Sequence, residues 1–394
     1  MNHFNVKWLY SYKFISQCLP IYAFYTILFI ERGKSVSEIA VLIALWSAFT
    51  ILFEVPAGLL ADRWNRRNML AIATVLQGVC FVIWFFSHTF LMFALGFLCW
   101  AVAGAFTDGT EEGLIYDNLK SDGREDDFTA VYGRAQFFGH IGTVVGIGSA
   151  GLIAVFVSIE AIALISAGIC FANVLFVLRI RERNFDAKRS QEEGAGLFDT
   201  FKKVVFFIKG NGSALAVLLF LVFFAGLGSY LDEFDALIAN DWTLEVWWVS
   251  AILTVRFGFM ALGDVLAPKV EKILGSARRI FLFNGLACVV LAVFAAFWHP
   301  FALLFFGIAF MMMAMTEILL VNALQRAIKE EGRTTVMSFY SVGQNLVMIG
   351  FSLVFALLAG VFTLQQVYML IAVYGAVGAV VFYILNRFAF GRRL

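Results

Sequence analysis

Twelve long apolar runs, each parted from the next by a few charged or Gly/Pro-marked positions, set the terms on which this chain can fold. A helix needs about 20 apolar residues to cross the hydrocarbon of a bilayer. Read between their breaks, the runs lie near 8–30, 36–60, 68–87, 90–116, 129–156 and 158–179, then near 213–239, 245–267, 279–298, 300–325, 334–361 and 364–386. They are continuous rather than alternating, so of the two forms that satisfy every backbone group in lipid they are helices and not barrel strands. With 61% hydrophobic and 14% charged residues among 394, little remains for a large water-soluble domain. The sequence predicts an all-α membrane protein of twelve transmembrane helices. The first run is too long for a signal-peptide core and has no small-x-small cleavage pattern, so it reads as a retained helix.

Orientation follows from the loops, because Lys and Arg accumulate on the cytoplasmic side. Of the 29 basic residues, 25 fall at one set of alternate loops and ends, and only Arg32 and Lys34 at the other; Lys13 and Arg256 lie inside spans. An even number of spans and cytoplasmic N- and C-termini are therefore expected, in a multi-pass protein of a cell membrane of the bacterial inner-membrane kind. The five cysteines are scattered inside apolar runs, suggesting neither a disulfide framework nor a metal site. A net charge of +1 gives no reason to expect nucleic acid.

The longest polar stretch divides the chain into 1–180, 181–212 and 213–394: two six-helix bundles joined by a cytoplasmic linker. In the linker Leu197, Phe201, Val204, Val205 and Ile208 recur at helical spacing opposite Lys202, Lys203 and Lys209. They suit either a short helix on the inner leaflet or the start of the seventh span. A duplication would leave one offset between the halves. Tyr132, Gln136, Ile141 and Gly142 recur as Tyr340, Gln344, Ile349 and Gly350, each displaced by 208 positions, which pairs the fifth helix with the eleventh.

Between the second and third runs the chain reads Gly58-Leu59-Leu60-Ala61-Asp62-Arg63-Trp64-Asn65-Arg66-Arg67. This resembles the signature loop of the major facilitator superfamily, with Asn65 where that family usually has Gly. Asn is the next most tolerant residue of a left-handed turn, so the loop can still close. The resemblance implies two pseudo-symmetric six-helix bundles, and a latch that closes the cytoplasmic face, here Asp62, Arg63, Arg66 and Asp117. The other reading is a basic loop that only sets topology. Gly263-Asp264 with Lys269 looks like a degenerate second copy.

Charges inside the spans cost about 2.5–3.5 kcal/mol each on insertion scales, so each needs a partner, water or a function. The first half carries Lys13, Glu54, Asp108, Glu111, Glu112, Arg134 and His140. Asp108, Glu111 and Glu112 fall at i, i+3 and i+4, on one face of an unbroken fourth helix. Three acids so close need cations, and Lys13 and Arg134 are the available ones, so an ion-pair cluster able to hold a proton is expected. The alternative is a static salt-bridge network. The second half carries Asp232, Glu233 and Asp235 on the seventh helix, Arg256 on the eighth and Glu317 on the tenth. Arg256 and Glu317 are expected to pair, leaving an acidic vestibule with Asp232 on a solvated rim. By resemblance to multidrug members of the superfamily, Asp235 and Glu317 are the expected proton carriers there. Gly139, Gly142, Gly146, Gly148 and Gly151 form a small-residue stripe resembling the fifth-helix motif of antiporters, without its proline; ordinary close helix packing explains it nearly as well.

The resemblance implies a secondary transporter working by alternating access, a monomer whose partners are a small solute and the bilayer. No cofactor is expected, and with no Gly-x-x-x-x-Gly-Lys loop in the sequence the energy would come from a proton gradient. The acidic bias of the intramembrane charges points first to proton-coupled export of an amphipathic or cationic compound, then to proton-coupled uptake, then to uniport. An intramembrane enzyme would need histidines and a carboxylate at one depth. His3, His88, His140 and His299 lie at unrelated depths. A channel or receptor has no filter repeat or ligand domain to support it.

Overall fold

A computed structural model describes residues 6–61, 64–108, 110–124, 127–182, 212–327, 333–359 and 361–388. Its elements are helical throughout, and the chain divides into two compact units. One comprises Met1–Gly194 with Leu244–Ala251, the other Ala195–Thr243 with Ile252–Leu394. Among the described residues eleven helices are long and apolar enough to cross a membrane. A twelfth rod, the seventh in sequence, holds the shorter apolar helix Ala214–Phe224 and carries Asp232, Glu233 and Asp235 in its second half. The linker helix expected between 197 and 208 lies outside the described residues, as do Asp62 and Arg63.

In the first unit the opening span is cut in two. Helix α1 (Val6–Gln17) and α2 (Ile21–Glu31) meet at Cys18-Leu19-Pro20. Pro20 has no N–H and its ring obstructs the carbonyl one turn earlier, so the ladder stops there. The Ile21 amide freed by the break donates to Ser166 Oγ on α8 (Ile159–Arg179) at 3.1 Å. Against the same break lies the glycine stripe of α7 (Phe128–Phe156). A Cβ on Gly142 would overlap the Phe14 carbonyl oxygen, and one on Gly146 would sit 2.7 Å from the Leu19 nitrogen. These two glycines are there because backbone meets backbone, whereas Gly148 faces open space.

Helix α3 (Val36–Ala61) is followed by α4 (Arg66–Phe86). Asn65 is not in a left-handed turn: at φ −64°, ψ 117° it is extended, and its side chain accepts from the Asn68 amide at 3.1 Å. An Asn just before a helix satisfies an orphan N–H better than it serves a turn. Expecting one fourth helix also needs correction. The rod is α5 (Phe90–Thr107), a break at Asp108, and α6 (Thr110–Ser121). Asp108 itself is extended and caps α5, its amide donating to the Gly104 carbonyl. Toward the other end of α5, Trp84 is fully buried among Tyr25, Phe29, Phe81, Phe97 and Trp100, in ring pairs worth about 0.5–1.5 kcal/mol each. Gly96 supplies the space for its indole.

In the second unit the seventh rod is α9 (Gly212–Phe220), one π-helical turn over Leu221–Ala225, and α10 (Gly226–Asp241). There follow α11 (Trp247–Leu274), α12 (Ala277–Phe297), α13 (Leu303–Ala327), α14 (Arg333–Leu358) and α15 (Leu364–Phe388). Helix α12 packs against α13 and α15, its end turned by Trp298 in the left-handed region. Phe294, Trp298 and Tyr368 stack there. Side chains such as Phe156 and Leu357 are exposed, as lipid-facing positions of a membrane helix are.

Candidate functional site

Charged side chains of the first unit gather around the break between α5 and α6. Restarting the helix after Asp108 spreads the three acids apart instead of stacking them on one face. Glu111 is buried and pairs with Lys13 on α1, Nζ to Oε2 at 2.9 Å. Glu112 is exposed and turns toward α7, accepting from the Tyr132 hydroxyl at 2.8 Å. Asp108 lies within the electrostatic reach of Glu54, Lys13, Glu111 and Glu112. Arg134 and His140 are exposed on α7 and make no hydrogen bond or salt bridge among the described residues. The expected role of Arg134 as a second cation for the acids is therefore not seen; Lys13 alone reaches them.

At the far end of α6, Arg66 Nη1 meets Asp117 Oδ2 at 2.7 Å. Gly113 allows this approach, since a Cβ there would overlap the guanidinium. Glu182 accepts from the backbone amides of Arg66 and Arg67 at 2.9 and 3.0 Å, a carboxylate at the positive end of α4. Sequence reasoning does not single out Glu182; a carboxylate three residues past a helix end carries no motif. Asp62 and Arg63 lie outside the described residues, so only the Arg66–Asp117 arm of the expected latch has a geometry.

The second unit arranges its charges differently from the sequence expectation. Arg256 does not pair with Glu317. It is 2% exposed and its Nη1 contacts both Asp235 and Asp232, the latter at 3.2 Å. Its Nη2 donates to the Gly228 carbonyl at 2.8 Å, just past the π turn, and its plane lies 4.0 Å from the Phe310 ring. Asp235 is fully buried, and Tyr368 on α15 donates to its other oxygen. Asp232 is thus a second partner of Arg256 and not simply a solvated rim residue, and the single charge of Arg256 offsets part of the expected acidic vestibule. The reason is placement: α11 carries Arg256 to the turn of α10 that bears both aspartates, while Glu317 on α13 faces α14.

Glu317 accepts from the Tyr340 hydroxyl at 2.8 Å, and Gln344 donates to that hydroxyl at 2.8 Å. Among the described residues no Lys or Arg forms a salt bridge with it. Arg256, Asp232 and Glu317 border one cavity of about 110 Å³. Its walls include Phe220, Phe224, Phe257 and Phe310, with Asn284 and Thr316 among the polar side chains. The Nε of Arg256 is buried with no partner among the described residues. No group of three or more His, Cys, Asp or Glu side chains able to hold a metal lies among the described residues.

The sequence profile described as Major Facilitator Superfamily matches residues 14–348. Over 78 residues the chain is 30% identical to the Uncharacterized MFS-type transporter YfkF of Bacillus subtilis (strain 168); the match covers 19% of this chain and only 18% of that relative's length. Among solved structures, the nucleoside transporter NupG is similar with a TM-score of 0.80 at 15% identity, over 97% of this chain and 99% of that one. A POT family transporter in complex with a thioalcohol-conjugated peptide is similar with a TM-score of 0.73 at 10% identity, over 98% of this chain and 96% of that one. Identities this low speak for a shared fold and no further.

Proposed function

This chain belongs to the Major Facilitator Superfamily, and we propose that it takes up a small, uncharged polar organic solute together with protons, with both termini in the cytoplasm. That it is a multi-pass membrane transporter with an alternating-access fold follows from the family and from the full-length likeness in fold. Substrate and direction are the proposal. The observation that carries it is the disposal of charge around the cavity of the second unit.

Glu317 is the cavity acid that no Lys or Arg engages among the described residues, and in this reading it holds the proton and is not at hand for a cationic solute. Asp232 and Asp235 are engaged by Arg256, and in the first unit Glu111 is engaged by Lys13. What the cavity still offers is an aromatic wall, the amide of Asn284, and Glu317 held by a neutral phenol. Those features suit a ring-bearing neutral solute with hydrogen-bonding groups, in keeping with the likeness to a nucleoside transporter. A neutral solute does not compete electrostatically with a proton on Glu317, so both can be aboard at once. Simultaneous occupancy is what symport requires, whereas antiport works by mutual displacement. Each proton moved inward is worth about 2.3 kcal/mol per 100 mV, enough to concentrate a solute many-fold.

The test is uptake of labelled nucleosides and other neutral ring-bearing solutes into liposomes holding the purified protein, with an inward proton gradient imposed. Accumulation above equilibrium, lost on adding a protonophore and lost in Glu317→Gln while downhill exchange continues, is the expected result. Flux of an organic cation driven by the opposite gradient, with no neutral solute accumulated, would replace this reading with export.

A further inference from the structure

Each half carries the same chain of two hydrogen bonds. In the first unit Gln136 Nε2 donates to the Tyr132 hydroxyl at 2.8 Å, and that hydroxyl donates to Glu112 Oε1 at 2.8 Å. In the second, Gln344 Nε2 donates to the Tyr340 hydroxyl at 2.8 Å, and that hydroxyl donates to Glu317 Oε1 at 2.8 Å. The Tyr and Gln pairs are displaced by 208 positions and the glutamates by 205, so the segment between the glutamate and its tyrosine has a different length in each half. The same bond is nevertheless formed in both. An arrangement rebuilt across a change in loop length is held by what the three side chains do together, since sequence spacing alone would not reproduce it.

The direction of donation is informative. Gln, one helical turn beyond Tyr, occupies a lone pair of the phenol oxygen and so commits the hydroxyl proton to the carboxylate. A carboxylate held in this way is supported in its charged form by a neutral donor, not by a cation. It can therefore gain and lose a proton without stranding a buried positive charge. Glu111 cannot, because Lys13 would be left unpaired, and a proton on Asp235 would leave the buried Arg256 with the half-exposed Asp232 as its one carboxylate partner among the described residues. The charged groups around Glu112 are Asp108, Glu111 with Lys13, Arg66 with Asp117 on the same helix, and Arg134 two residues past Tyr132 on α7. Those around Glu317 are Asp264 on α11 and, across the cavity, Arg256 with Asp232.

We propose that the two relays are a duplicated proton-binding device, in which Glu112 and Glu317 each take up one proton per cycle and Tyr132 and Tyr340 are their positioning residues. In each, an O–H bond forms at a carboxylate oxygen with a proton from water and breaks on the other side of the membrane. Coupling then involves two protons, one for each half. The inference rests on the proton-coupled reading above, and it replaces Asp235 by Glu112 as the partner of Glu317.

Infrared difference spectra of the purified protein between acidic and neutral pH read carboxyl protonation directly, without any solute. Above the carboxyl signal that titrates in every variant, two components are expected to be specific, one lost in Glu112→Gln and the other in Glu317→Gln. Tyr340→Phe is expected to ease protonation of the Glu317 component alone, and Tyr132→Phe that of the Glu112 component alone, each by about tenfold in proton affinity. Gln136→Met and Gln344→Met, which cut each relay one bond earlier, give the same readout if a Phe variant does not fold. A single component, or components indifferent to the tyrosines, overturns the duplicated device. Two components behaving as expected, beside uptake that ignores the proton gradient, would leave the device standing and sink the proton-coupled function.

Discussion

Arg256 on α11 and Tyr368 on α15 donate to different oxygens of one carboxylate, that of Asp235 on α10. Three helices of the second unit are thereby tied at one point, and Gly228 and Asp232 hold the rest of the guanidinium. The tie fixes the place of Arg256 at the border of the cavity.

Breaking that tie from one side leaves a charge buried without its counterpart. Arg256→Ala, which strands the fully buried Asp235, should destabilise the protein by about 3–5 kcal/mol; Asp235→Leu, which leaves Arg256 its contact with Asp232, should cost less, and Arg256→Met with Asp235→Leu together should lose much less than Arg256→Ala. Unfolding of the purified variants in detergent measures this. Single variants as stable as the parent would show that the pair carries no structural burden.

Close approach of α7 to the break in the first span makes a second prediction. Gly142→Val must push against the Phe14 carbonyl and should cost about 1–3 kcal/mol. Gly148→Ala, with nothing within 4 Å, should stay within about 0.5 kcal/mol of the parent. Equal stability of both variants in the same assay would mean that α1 can shift away freely.

Transport should depend on the loop before α4. Asp62→Asn and Arg66→Ala are expected to lower uptake several-fold while the protein reaches the membrane in normal amount, and Asp117→Ala should match Arg66→Ala because the two side chains share one bond. Initial uptake rates, divided by the amount of protein in the membrane, decide it. Rates equal to the parent would reduce the loop to a device for setting topology.

The spans are legible in the sequence because membrane helices declare themselves by length and hydropathy, and the structure places a rod in each of the twelve expected stretches. Local interruptions are not legible. Nothing in the spacing of Asp108, Glu111 and Glu112 announces that the helix restarts between them, and Pro20 marks a break where Pro56 and Pro268, inside continuous helices, do not. Depth alone pairs Arg256 with Glu317, when the choice depends on the face each helix turns to its neighbours. The tyrosines are the most instructive omission. Tyr132 and Tyr340 are visible as a repeat, yet only the structure shows that each leads to a glutamate. A Tyr with a Gln four residues later, recurring at a fixed offset on a polar helix face, is the available signal. Tyr368 and the Gly228 carbonyl offer none.

The cut at Pro20 has a mechanical consequence. An intact helix resists bending because each degree of tilt stretches hydrogen bonds along its length. Where the ladder already stops, α1 and α2 form a joint, with Ser166 as its clasp and the bare backbone of Gly142 and Gly146 as its bearing surface. Lys13 stands on the α1 side of that joint and reaches Glu111 on α6. A tilt of α1 there leaves secondary structure whole and bears directly on the buried ion pair, whose two members stand on different helices.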